Sequence, residues 1–337
     1  MSKLTDVFIM SSRFVDACVK SVIRTSLQID CSWDSAIIVQ GPYTPGITNV
    51  AILGFLQGFK DSLVIVSTYL PSAEENGTNP IGSFLSQSEK LAIQTGRLVF
   101  IFVSLPSPVN APQFWNTNYQ NQNCQRLTSF IGIRYAQRMG IKFSLKSRSD
   151  TYFGNTSIID QFLREVETGY PLFPDEGLSS EIKGRIVVCG DWTLIRPKSD
   201  WDSFHVRDHW YFGHTSDLLK FFDCTSDSTW AEGNGILIRS PESASTRLWM
   251  SNMGIKVSSI TELLARYFIV HDAVYVEQLR IKSKHCAEHS WNFDLQRYHT
   301  EGKTYLSAMY LVDTPPRFQT THDEWHELYR SMILERS

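Results

Sequence analysis

Three short runs carry only apolar side chains: Ala36-Ile37-Ile38-Val39, Leu63-Val64-Ile65-Val66 and Leu98-Val99-Phe100-Ile101-Phe102-Val103. A strand with one face in water alternates polar and apolar residues, so an unbroken run means a strand buried on both faces. Such strands need helices on either side. The expectation is an α/β fold: a mostly parallel, twisted sheet with helices on both faces. The connection after Val39 agrees. Gln40-Gly41-Pro42-Tyr43-Thr44-Pro45-Gly46 is crowded with Gly and Pro, which fix the backbone and let it approach a ligand closely. Thr48 or Asn49 then caps a helix carrying Val50, Leu53, Phe55 and Leu56. The layout is that of a nucleotide-binding β-α unit, without a Gly-Lys-Ser/Thr phosphate loop or a Gly-x-Gly-x-x-Gly fingerprint.

The stretch from Ile141 to Phe153 begins as an alternating strand, with Phe143 and Leu145 on one face, and ends in Lys146, Arg148 and Asp150. Ligands of open α/β sheets collect at the carboxyl ends of strands. A hard divalent cation takes oxygen ligands. One carboxylate between two cations therefore suits a metal-bound or anionic group, the alternative being a surface salt-bridge cluster. The preceding helix, opening near Asn121, has an apolar stripe of Leu127, Phe130, Ile131 and Tyr135. Arg126 and Ser129 share a face near its start, where an arginine beside free amides suits a phosphate and equally suits a solvated exposed face.

The second half predicts a strand over Gly184–Gly190 that ends at Asp191-Trp192, and short helices over Leu218–Phe222 and Thr261–Phe268. Phe204 to Gly213 gathers aromatics, two histidines, Arg207 and Asp208. Ser240-Pro241-Glu242 starts a helix, so Glu242 reads either as an acid at the positive end of the dipole or as a catalytic group. Thr321-x-x-Glu324 is a capping box for a last helix carrying Trp325, Leu328, Tyr329 and Met332. Residues 71–90 read as polar and turn-rich. Residues 6–24 read as an amphipathic helix packed on the domain. Its Arg13, Lys20 and Arg24 raise the side hypothesis of peripheral contact with the inner membrane.

A net charge of -3 and a pI near 6.3 give no electrostatic case for nucleic acid as partner. The six cysteines are scattered without paired spacing, which fits reduced thiols in a cytoplasmic protein. No apolar run reaches the length of a membrane span, and the N-terminus lacks a signal-peptide core, so a soluble protein is expected. The surplus of aromatics, nine Trp, thirteen Tyr and twenty Phe, is core material that also suits stacking on sugars and bases.

Taken together, Val39-Gln40-Gly41-Pro42, Val66-Ser67-Thr68, Asn123-x-Gln125-Arg126-x-x-Ser129 and Leu145-Lys146-Ser147-Arg148-Ser149-Asp150 form a pattern. Asp208-x-x-x-Phe212-Gly213 and Pro241-Glu242 extend it. Across residues 36–275 the chain resembles the WavE-type lipopolysaccharide-synthesis family, whose members look like glycosyltransferases of the GT-A type. Arg148 stands where most GT-A metal motifs carry the first of two acids.

The resemblance implies an N-terminal segment (1–34), a nucleotide-sugar half (35–155) and an acceptor half (156–337) packed as one GT-A-like domain. Gln40, Gly41, Pro42, Ser67 and Thr68 would hold the base and ribose of a nucleotide-sugar donor. Arg126, Lys146 and Arg148 would lie near the diphosphate, with Asp150 on a bridging Mn²⁺ or Mg²⁺. An inverting reaction needs a carboxylate to take the acceptor proton. Asp208 and Glu242 are the candidates, with Asp191 behind them. Trp192, Trp210 and Tyr211 would stack on the acceptor, a lipid- or polysaccharide-linked glycan of lipopolysaccharide or capsule. Two other classes stay open: a metal-dependent phosphoesterase or nucleotidyltransferase, and a non-catalytic glycan-binding protein.

Overall fold

The computed structural model describes residues 19–23, 33–44, 46–69, 85–105, 120–155, 157–173, 181–190, 193, 204–225, 241–272, 278–280 and 320–334. Its centre is an eight-stranded sheet. The strands are β1 (Val19–Ile23), β2 (Ser35–Gln40), β3 (Ser62–Tyr69), β4 (Leu98–Val103), β5 (Phe143–Arg148), β7 (Ile186–Cys189), β8 (Trp210–His214) and β9 (Phe268–His271). Their order is β1-β4-β3-β2-β5-β8-β7-β9. β1 and β8 oppose the rest, so the sheet is mostly parallel, as the apolar runs demand. Two further strands, β6 (Thr151–Phe153) and β10 (Gln278–Arg280), form a small ribbon.

The helices are α1 (Ile47–Gly58), α2 (Gln87–Gln94), α3 (Gln120–Arg138), α4 (Ile158–Arg164), α5 (Thr215–Phe221), α6 (Pro241–Met253), α7 (Ile260–Tyr267) and α8 (His322–Leu334). β2 and β4 are buried at every position. α3 covers one face of the sheet at very close range: a Cβ on Gly132 would lie 2.6 Å from Ile38 Cγ2. On the opposite face Phe162 of α4 stacks on Trp210 with ring centroids 5.2 Å apart. α8 opens with the expected capping box, Glu324 N donating to Thr321 Oγ1 at 3.1 Å and Thr321 N to Glu324 Oε2 at 2.9 Å. Trp325 Nε1 then ties it to Leu264 O at 3.1 Å.

Three expectations need correction. Val19–Ile23 is a strand and not the end of a helix, while residues 6–18 and 24 lie outside those described. Antiparallel pairing with β4 supplies partners for that strand's backbone, and its β-branched residues suit it. α1 starts at Ile47, so Thr48 and Asn49 lie inside it; Asn49 Oδ1 reaches back to accept from Gly46 N at 2.9 Å. The turn-rich region contains the start of α2, capped by Ser86 with Glu89 returning to Ser86 N at 2.7 Å.

Candidate active site

The carboxyl ends of β2 and β5 lie side by side, with Gln40 paired to Arg148. β8 enters antiparallel next to β5, pairing Ser147 with Trp210, so the residues just before it arrive at the same sheet edge. Nonlocal pairing thus places Asp208 against the end of β5.

Arg148 donates to Asp150 through Nε (2.8 Å to Oδ1) and Nη2 (3.0 Å to Oδ2), and through Nη1 to Asp208 Oδ2 at 3.3 Å. Arg207 Nη1 lies 3.2 Å from Glu242 Oε1 and its Nε lies 3.9 Å from Asp208 Oδ1. The result is an alternating row, Asp150–Arg148–Asp208–Arg207–Glu242. Glu242 enters it from the first turn of α6. Asp208 Oδ1 accepts no hydrogen bond among the described residues.

Lys146 is 1% exposed. Its Nζ donates to Asp208 O at 2.5 Å and lies 5.5 and 5.7 Å from the ring centres of Tyr211 and Phe222. Burial pushes its ammonium down to about 8 against the pull of Asp208, and Arg148 adds to the depression. Burial alone would raise the Asp208 carboxyl, but Arg148, with Lys146, His209 and Arg207 behind it, holds it far below the usual carboxylate range. Burial disfavours the Arg148 charge too, yet its hydrogen bonds to Asp150 and the charge of Asp208 raise it above the ordinary arginine value.

Arg126, 2% exposed, lies well inside α3 and not at its start. Its Nε donates to Asp223 O at 3.0 Å and Nη2 to Phe221 O at 3.5 Å, serving carbonyls at the end of α5. Burial lowers it to about 10. A small cleft, open on one side, is bounded by Arg126 and Gln125 of α3, Lys146, Asp208, Phe222, and Glu242 and Ser245 of α6.

The sequence-derived residues therefore divide. Lys146, Arg148, Asp150, Asp208 and Glu242 come together, and Arg126 lines the same cleft. Gln40, at the end of β2, and Ser67 and Thr68 of β3 are buried within the sheet, Gln40 Oε1 accepting from Thr128 Oγ1 at 3.2 Å. In the loop after Gln40, Gly41 is buried and Pro42 is exposed. Trp210 is fully buried in the core and cannot stack on an acceptor; Asp191 and Trp192 lie outside the described residues. Sequence reasoning gave no role to Arg207 or Ser245. Ser245 was findable, three residues after Glu242 and so on the same helical face; the pairing of Arg207 with Glu242 depends on tertiary structure.

A divalent cation does not fit these donors as they stand. The carboxylate proposed for it, Asp150, is chelated through both oxygens by a guanidinium. Among the described residues no group of three or more His, Cys, Asp or Glu is placed to hold a metal. No helix among them is long and apolar enough to cross a membrane.

No family model and no curated protein matches the chain. Among solved structures it is similar to a protein from Desulfovibrio desulfuricans described as a nucleotide-diphospho-sugar transferase, with 8% identity over 82% of this chain and 95% of that one and a TM-score of 0.38. It is also similar to a glycosyltransferase involved in glycosylating the major capsid of PBCV-1, with 12% identity over 72% and 82% and a TM-score of 0.33. A third likeness is to an active-site mutant of LgtC, with 9% identity over 71% and 73% and a TM-score of 0.35. All three scores lie below 0.5.

Proposed function

We propose that the protein is a glycosyltransferase that moves a sugar from a nucleoside-diphosphate donor to a glycan hydroxyl. The observation that carries this reading is the buried Lys146 beside Arg148 at the carboxyl end of the parallel strands, facing a cleft that also holds Glu242. A departing nucleoside diphosphate gains negative charge, and preorganised cations in a water-poor site lower that barrier. Lys146 and Arg148 supply this charge, Arg126 adds to the field, and the Gly41-Pro42 loop borders the base and ribose of the donor.

Of the proposed bases, Glu242 suits the role best. Asp208 is held so firmly ionised by its cations that it is a weak proton acceptor. Glu242 sits at the cleft wall and takes the acceptor proton. The acceptor we assign to lipid- or polysaccharide-linked surface glycans, lipopolysaccharide or capsule, on the motif resemblance around Gln40-Gly41-Pro42 and Lys146–Asp150. The test is release of nucleoside diphosphate from a panel of UDP-, GDP-, dTDP- and ADP-sugars, with and without glycan acceptors. One donor class should turn over, faster with acceptor; no release from any donor refutes the reading.

A further inference from the structure

We propose that the guanidinium of Arg148 fills the place of a divalent cation between Asp150 and Asp208, so that this transferase neutralises its leaving group with side-chain cations and works without metal. This rests on the donor-site reading above and specifies its chemistry. Two carboxylates converge here on one positive centre: Asp150 offers both oxygens, at 2.8 and 3.0 Å, and Asp208 offers one at 3.3 Å. Hard divalent cations are held by such converging carboxylates. Here a covalently attached cation does that work. A guanidinium is permanently charged and presents five N–H donors in a fork, so it can brace carboxylates and still meet a phosphate oxygen.

The surrounding charges are arranged for that centre. Lys146, Arg148 and Arg207 balance Asp150, Asp208 and Glu242, and each carboxylate has an arginine within ion-pair distance. A metal ion entering here would have to displace a bidentate guanidinium while lying near the Lys146 ammonium. Both changes oppose it. Removing the guanidinium would instead leave two like charges facing each other, a pair that a divalent cation relieves.

The test is calorimetric titration of the full chain with nucleoside diphosphates, in EDTA and in Mn²⁺, for wild type and Arg148→Ser, with Mn²⁺ binding read separately by electron paramagnetic resonance. In the wild type one nucleoside diphosphate should bind with the same affinity in both buffers, and the Mn²⁺ signal should stay that of free ion. A folded Arg148→Ser should lose about tenfold or more in EDTA, the worth of one charged hydrogen bond, and recover part of it with Mn²⁺. Wild-type binding that requires Mn²⁺ overturns this inference and leaves the donor-site reading standing. So does a folded Arg148→Ser that binds as tightly as wild type in EDTA. Failure of every nucleotide in both buffers overturns the donor-site reading and this inference with it. Should Arg148→Ser not fold, the wild-type comparison decides alone.

Discussion

Gly41 and Ser149 are in contact without a side chain between them: a Cβ on Gly41 would lie 2.7 Å from Ser149 Oγ, and Ser149 N donates to Gln40 O at 2.8 Å. The loop after β2 is thereby latched to the turn that carries Arg148 and Asp150. Gly41 also has φ of +126°, a region that only glycine enters at little cost. Gly41→Ala should cost about 1–3 kcal/mol through strain and overpacking, read as a lower urea midpoint. Adding Ser149→Ala should return part of the loss. A Gly41→Ala protein as stable as wild type would contradict the latch.

Lys146 sets a pH dependence for anion binding. Its ammonium is pushed down to about 8 from an ordinary 10.5, so the charge is present below that pH and lost above it. A diphosphate beside it restores the charge by taking up a proton. Affinity should therefore be level below pH ~7 and fall by up to about tenfold per pH unit above ~8. Calorimetry in buffers of different ionisation enthalpy should show proton uptake near pH 8. In Lys146→Met both the uptake and the pH slope should vanish.

Glu242→Gln keeps a partner for Arg207, now 3.2 Å from Glu242 Oε1, while removing the proton acceptor. Turnover (kcat) should fall by about 10²–10⁴, the range of general-base contributions, with KM little changed. Full turnover in Glu242→Gln would exclude it as the base.

Acid should loosen the docking of α8. His322 Nδ1 donates to Val270 O at 2.8 Å, its ring stacks on His271 at 4.5 Å, and His271 Nε2 meets Glu165 Oε2 at 2.6 Å. Burial, then the neighbouring His271, hold His322 below its ordinary 6.5. Burial raises Glu165, but its hydrogen bond and charge interaction with His271 win and leave it below 4.5. Each group binds more protons unfolded than folded, so stability is complete above pH ~6.5 and is lost as pH falls, first through His322 and then through Glu165. Asp217, which burial raises to about 6, and Asp272, which burial raises above 3.8, act in the opposite sense, gaining stability as pH falls. Going from pH 7.5 to pH 5, the urea midpoint of His322→Gln should shift in the stabilising direction relative to that of wild type over the same step; identical shifts in the two would contradict the His322 assignment.

What was legible in the chain follows from range. Ala36–Val39 and Leu98–Val103 announce doubly covered strands because their burial is written into every residue. Lys146, Arg148 and Asp150 announce a charged strand end for the same local reason. The burial of Lys146 was not legible: it comes from β8 inserting beside β5 and from Phe222 arriving after α5. Val19–Ile23 looked helical because its partner, β4, lies some eighty residues away in sequence. The Ser86-x-x-Glu89 box was a readable signal for α2. Arg126 kept its helix but found carbonyls of α5 as partners, which spacing alone does not reveal.

The most direct test of the donor site is a thermal-shift comparison of wild type and Lys146→Met against UDP, GDP, dTDP, ADP and CMP in EDTA. Saturation at about a hundred times the dissociation constant adds roughly 2.7 kcal/mol to stability, a readable shift. One nucleotide should stabilise the wild type, and Lys146→Met, which keeps the side chain's bulk without its charge, should show that shift much reduced at the same concentration. No shift with any nucleotide, or an undiminished shift in Lys146→Met, would contradict the placement of the diphosphate on this cleft.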